Sequence, residues 1–301
     1  MASGSTLDFI LAVVFGLLTA VVNAIALMTQ HIASNRIIRE TRGWRIVIDL
    51  AKQPLWLLGW IALAGSLAFQ AIALYFGPVG LVQPLLIGEL IIALLIRKLF
   101  LHQHLRLITI GASISTTALL AIFIAYASPR SGRIHVPGTT WGISIGICTV
   151  VVFLLWLASL RGTPKSKAAL LGTATAITWA LEAVLIKVFS DNLAAYGLLG
   201  SLSHWPVYAF VGYGVAGLYF EQAALYVGPL SVSQPLIVIV DPLVSVILGV
   251  ALFAERWRGG VTHLVFGLMT LAAIFISAWI LIETSPETMH KSPDRVETEQ
   301  R

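Results

Sequence analysis

Apolar residues run along this chain in long, nearly unbroken stretches, and the polar residues collect in the gaps between them. Nine stretches approach the ~20 residues needed to cross a hydrocarbon core. They cover 7–29, 54–75, 79–99, 105–127, 139–160, 168–189, 205–226, 230–253 and 261–282. The first has no basic residues before it and no small-residue cleavage pattern after it, so it reads as a retained span, not a signal peptide. Residues 191–204 are mildly apolar but short and Gly/Ser-rich, which predicts an interfacial or re-entrant piece. The predicted class is all-α: a polytopic membrane bundle of about nine transmembrane helices.

Composition agrees with that pattern. Of 301 residues, 58% are hydrophobic and 11% charged, with mean hydropathy +0.90. A soluble domain carries about 25% charged residues, so the apolar surplus must face lipid. The net charge of +5 raises the question of nucleic acid. The basic residues, however, sit in short loops where membrane topology requires them, and no nucleic-acid partner is expected. With the amino terminus outside, 14 of the 19 Lys and Arg fall on the inner side and four (Arg130, Arg133, Arg256, Arg258) on the outer. The expected location is therefore the plasma membrane, amino terminus out and carboxyl terminus cytoplasmic. Arg36, Arg39, Arg42 and Arg45 read as a topology anchor near anionic lipid, or as a specific lipid site. Residues 283–301 are polar, of mixed charge, and read as a disordered tail. Cys148 is the single cysteine, so no disulfide or Cys-pair site can form.

The sharpest feature is a repeat. Residues 69–85 read FQAIALYFGPVGLVQPL and residues 220–236 read FEQAALYVGPLSVSQPL, nine identities in 17 positions at an offset of 151. Tyr75 and Tyr226 close a span at the interface. Gly77-Pro78 and Gly228-Pro229 make a tight turn, so the flanking spans are antiparallel neighbours. Pro84 and Pro235 fall in the first turns of the next helix, where a missing N–H is cheapest, or lie deeper and unwind a turn. The shift of five spans is odd, so each unit crosses the membrane in the opposite sense to its copy. This predicts two inverted four-helix repeats, 7–127 and 168–282, joined by a linker helix at 139–160. Inverted repeats are a hallmark of secondary transporters.

Ionisable groups inside the spans come next, because a charge at the bilayer centre costs roughly 2.5–3.5 kcal/mol on insertion scales. Glu89 and Asp241 sit near the centres of equivalent spans, one position apart under the repeat. Glu182 and Glu221 add two acids. Lys187 follows Glu182 by five residues and could pair with it only loosely. Pro242 predicts a helix break beside Asp241, with the Val238 carbonyl left bare. The acids could carry protons that drive exchange. They could hold a hard divalent cation such as Mg²⁺ with amide and backbone oxygens, or they could be neutral and only pack helices. Asn23, Gln30, Gln70, Gln83, Gln222 and Gln234 are candidates to line the same path, or to bond across helices. Trp60, Trp156, Trp179 and Trp205 read as packing or interface residues rather than ligand stackers. His31, His102, His104 and His263 lack metal-ligand spacing. No phosphate loop, nucleophile elbow or zinc-protease motif is present, so no enzyme, ATP-driven pump or cofactor is expected.

A span ending in Ala-Leu-Tyr, a short turn and a next span opening on a Pro resembles the drug/metabolite transporter superfamily. "YFGPVGLVQPL" and "YVGPLSVSQPL" are most similar to its NIPA-like and actinobacterial branches. Ala254-Glu255-Arg256 is similar to the Gly-Glu-Arg turn of EamA-type repeats, and the first half carries His102-Gln103-His104 there instead. Residues 20–33 and 176–190 resemble the opening helices of such repeats. EamA members have ten spans, whereas here the second span of each half is missing or reduced to 33–53 and 191–204. The resemblance implies a secondary transporter of a small metabolite, ion- or proton-coupled. NIPA-like transport of magnesium and a non-transporting membrane scaffold are the alternatives. The expected partners are the lipid bilayer and a small-molecule or cation substrate; a homodimer is left open.

Overall fold

The computed structural model describes residues 6–35, 53–100, 106–127, 129–130, 136–228, 230–257 and 260–284. Helix α1 spans Thr6–Asn35, α2 Pro54–Phe76, α3 Val79–Leu86 and α4 Gly88–Phe100. Helix α5 (Leu107–Ile122) ends in a π-helical turn at Phe123–Ala127. Then come α6 (Gly138–Ser159), α7 (Pro164–Ser201), α8 (Trp205–Val227), α9 (Leu230–Phe253) and α10 (Val261–Glu283). Proline opens α2, α7 and α8, where its fixed φ suits a helix start and its missing N–H costs nothing. Two-residue strands β1 (Pro129–Arg130) and β2 (Arg256–Trp257) pair antiparallel and tie two loops together at one end of the bundle.

Among the described residues, eight helical spans are long and apolar enough to cross a membrane, with α3 and α4 counting as one. The chain is a multi-pass integral membrane protein. The ninth expected span forms α8, which has the length at 23 residues but carries Glu221, Gln222 and several tyrosines. The basic series at 36, 39, 42 and 45, His102 to His104, Pro229, the side chain of Gln30 and the tail from 285 lie outside the described residues.

Helix α7 is the centre of the molecule. Of its most apolar 18-residue stretch 72% is buried, against 6% for α6, which lies against it at the edge. Its inward positions are small: Ala168, Ala174, Ala176, Ala180 and Ala183 are all buried. Between helices in lipid there is no hydrophobic driving force, so association relies on close packing and polar bonds, and small residues permit the approach. Helix α7 packs on α8, α9 and α6, and also meets α2; α1 packs on α2 and on both α3 and α4. Helices α5 and α10 pair through Phe123, Leu271 and Ile274, with Thr116 Oγ1 donating to Ser277 Oγ (2.8 Å) and Ser277 to the Ala112 carbonyl (2.9 Å).

One expectation is corrected and another refined. Residues 191–196 continue α7 as helix, and the chain leaves helical geometry at Gly197 before a last turn to Ser201, with most of this stretch exposed. A kink falls at Gly197, whose φ of 68° an L side chain rarely adopts. The helix break expected at Asp241-Pro242 is absent: α9 runs without interruption through Pro235 and Pro242. The equivalent helix is interrupted at one residue, Ile87, three residues after Pro84 and just before Gly88; its backbone stays right-handed helical (φ −57°, ψ −26°) and its N–H bonds the Pro84 carbonyl, so the interruption is a single tightened turn. Pro84 is the sixth residue of α3, in its second turn, and that helix lasts eight residues. One proline removes one backbone bond, which a packed helix tolerates; proline and glycine in the same turn are what end it.

The two Gly-Pro turns are fixed by contact. A Cβ on Gly77 would lie 2.5 Å from the Ala12 Cβ of α1, and one on Gly228 only 2.3 Å from the Pro164 carbonyl and 2.6 Å from the Ala168 Cβ of α7. In each half, the start of the first helix presses against this turn.

Candidate functional site

Four acids from four helices share one region of the bundle. Glu89 stands in the first turn of α4, immediately past the Ile87 break, where the free N–H groups of a helix start favour negative charge. Its carboxylate accepts from the Asn23 side-chain amide of α1. Asp241 stands midway along α9 and accepts from Ser245 Oγ one turn later, at 3.1 Å. Asp241 lies close enough to feel the charges of Glu182 and Glu89, and Glu221 that of Glu89. The Glu182 carboxylate presses against α8 at Gly214, where a Cβ would sit 2.8 Å from its oxygen. One turn earlier the Trp179 indole covers Gly217, where a Cβ would come within 2.4 Å. The Gly214/Gly217 pair thus lets α7 bring an acid and an indole flush against α8. All four acids are half-buried.

The remaining candidates divide. Asn23 joins the acids. Gln70 and Gln234 are half-buried, Gln83 is buried with its Nε2 lacking a hydrogen-bond partner, and none of the three bonds to an acid. Gln222 faces outward. Among the described residues no three His, Cys, Asp or Glu side chains converge as a metal-ligand set. If Mg²⁺ used Glu89 and Asp241, water and backbone oxygens would have to complete its shell.

Lys187 does not pair with Glu182. Its ammonium donates to the carbonyls of Leu74 (2.6 Å) and Gly77 (3.0 Å) at the carboxyl end of α2, and lies 5.7 Å from the Phe253 ring centroid. Glu255 complements it. The Glu255 carboxylate accepts from the N–H groups of Val79 (2.7 Å) and Gly80 (3.0 Å), the first residues of α3. A cation on a helix carboxyl end and an anion on a helix amino end both match the helix dipole. Burial lifts the Glu255 carboxyl above the usual range, while the Gly80 N–H, Lys187 and the Val79 N–H pull it back. Ala254 positions it by adopting φ 52°, a left-handed conformation costing a non-glycine residue about 1–2 kcal/mol. That turn folds Glu255 back over Gly249, whose carbonyl accepts from the Glu255 N–H at 3.3 Å. The contact was hidden in the sequence because its acceptors and donors are backbone atoms. The available clue was a single lysine deep in an apolar run.

No protein-family model matches the chain, and no solved structure does. An uncharacterized protein of Corynebacterium glutamicum is 26% identical over 250 residues, covering 83% of this chain and 86% of that protein. That relative is itself uncharacterized, so the likeness carries no activity.

Proposed function

We propose that this protein is a secondary transporter of the drug/metabolite type, moving a small metabolite in exchange for protons or another ion. The observation that carries the reading is the meeting of Glu89, Glu182, Glu221 and Asp241 beside a broken helix in the middle of the bundle. Carboxylates inside a membrane are expensive, and grouping them raises the cost unless protons or a cationic substrate neutralise them. The buried lysine of the described residues, Lys187, is engaged elsewhere. Half-helices that start at mid-membrane are a recurrent feature of transporter sites.

Two inverted halves are part of the proposal. Supporting them, Ala12 in α1 and Ala168 in α7, each next to its Gly-Pro turn, are separated by the same 156 positions as Gly16 and Gly172. Gly16 meets Leu85 of α3 and Gly172 meets Ser233 of α9, so each first helix approaches the helix after its turn through a glycine. In this reading the Gly77 turn faces outside at the plasma membrane and the Gly228 turn faces the cytoplasm.

The test is flux into proteoliposomes containing a pH-sensitive dye, across a panel of amino acids, organic amines and nucleosides, with Mg²⁺ alone as a separate arm. Proton movement driven by one organic class, and lost in Glu89→Gln and Asp241→Asn, is expected. Mg²⁺ flux lost in the same variants would replace the metabolite reading with the cation reading. A purified protein that moves nothing, with cells indifferent to both neutralisations, would favour the scaffold.

A further inference from the structure

The clamp of Lys187 and Glu255 is far more than a helix pair needs to stay packed. It spends two buried charges on seven residues of backbone, Leu74 to Gly80, at one end of the bundle. Both charges come from the second half of the chain and every group they hold belongs to the first. The segment they hold is special: residues 79–85 are all buried, and α3 ends at the Ile87 break, two residues before Glu89. Helix α3 is thus a short buried segment, clamped at its start and set off from α4 by the tightened turn at Ile87, with an acid of the candidate site just past that turn.

A cavity of about 320 Å³ opens near the same end, lined by Trp141, Val188, Asn192, His204 and Trp205. Neither Lys187 nor Glu255 lines it, but two of its lining residues adjoin them. Val188 adjoins Lys187 in the chain, and Trp141 packs edge-to-face on Phe253 (6.3 Å between centroids), the ring that lies under the Lys187 ammonium. None of the four acids lines this cavity.

We infer that Lys187 and Glu255 are the latch of a gate at this end of the bundle. Closed, as here, the latch holds α3 against α7 and α9 and seals the acids from the Trp141 cavity. Open, the four hydrogen bonds to Leu74, Gly77, Val79 and Gly80 are released, and α3 swings on Ile87-Gly88 to expose its inner face. The inference rests on the transport reading for its purpose, yet the opening can be measured without any substrate. Its geometry also explains the left-handed Ala254: the strained turn aims a carboxylate that an ordinary helix end would leave pointing at solvent.

The reporter is Gln83→Cys in a Cys148→Ala background. Gln83 is 1% exposed, lies about 6 Å inward of Val79 along α3, and its amide nitrogen has no partner to lose. A charged, membrane-impermeant maleimide is applied separately to each side of sealed vesicles. Labelling of the parent is expected to be slow from the Gly77 side. Glu255→Gln is expected to speed it about fivefold, and Lys187→Met combined with Glu255→Gln about tenfold or more, because each released hydrogen bond shifts the opening equilibrium. The double variant removes the clamp's two charges together, so that of the acids coupled to Lys187 only the half-buried Asp191 loses its counter-charge. Folded variants, checked by gel filtration, that label at the parent rate would overturn the latch. So would acceleration from the opposite side alone. A parent that moves nothing, with accelerated labelling in the variants, would sink the transport reading and leave the gate standing. Normal flux with unchanged labelling would do the reverse.

Discussion

The helices after the two Gly-Pro turns begin as near-copies and end differently. Both carry Gln-Pro at the same place, Gln83-Pro84 and Gln234-Pro235. The first stops at Leu86 and restarts at Gly88; the second runs unbroken from Leu230 to Phe253, past a second proline. The repeat places Gly88 opposite Ile239. A glycine four residues after a proline removes the side chain that would stiffen the turn, and a β-branched isoleucine supplies one. The first helix also has its start held by Glu255, so its two segments can settle independently. Proline alone therefore does not decide where a membrane helix breaks. Its neighbours and its anchoring do.

The comparison can be broken most forcefully at the anchors. Lys187→Ala takes the counter-charge from both Asp191 and Glu255, and a cost of about 3–5 kcal/mol is expected as a large fall in melting temperature in detergent. Replacing Lys187 and Glu255 together should cost much less. If the single and double variants melt alike, the two charges do not cooperate.

At the turns, Gly228→Ala should destabilise more than Gly77→Ala. The new methyl would meet backbone at Gly228 but chiefly one Ala12 methyl at Gly77. Overpacking costs of about 1–3 kcal/mol apply to the second, and more to the first, since backbone cannot move aside cheaply. Equal melting temperatures would show that the two turns are not equally well fixed in solution.

The hinge itself is tested by Gly88→Ile, which makes the first helix match the second. Filling this buried glycine should cost about 1–3 kcal/mol, while the flux that depends on Glu89 falls at least about tenfold. The mirror change, Ile239→Gly, should cost about 1 kcal/mol of helix stability. Flux surviving Gly88→Ile would remove the break from the mechanism.

The smallest effects should come from single contacts. Asn23→Ala removes one hydrogen bond to an acid between helices, worth about 0.6 kcal/mol, and Ser245→Ala removes one within α9. Ala254→Gly should raise stability by about 1 kcal/mol by relieving the left-handed alanine. A drop in melting temperature for Ala254→Gly would mean that the methyl group packs usefully.

Much of the architecture was legible from the chain. Span lengths follow from the hydrocarbon thickness, and eight helical spans appear where apolar runs were long. The closeness of Glu89, Glu182, Glu221 and Asp241 was only half legible. Their depth could be counted from the span ends, but their facing could not, because one residue turns a helix by about 100°. The break was misplaced for a related reason. Pro242 and Pro84 look alike in sequence, and the outcome depended on Gly88 and on a carboxylate 175 residues away.

What the sequence determined by itself is the solvent and the plan: a helical protein in lipid, with a duplicated turn and acids at mid-span. Those follow from composition and period, which are local properties of the chain. The tertiary structure alone decided which helix breaks, that α7 is central, and that Lys187 and Glu255 grip backbone. Each of these depends on backbone atoms and on contacts between residues far apart in sequence. A string of side chains records neither the carbonyls a helix leaves open nor the partner that will find them.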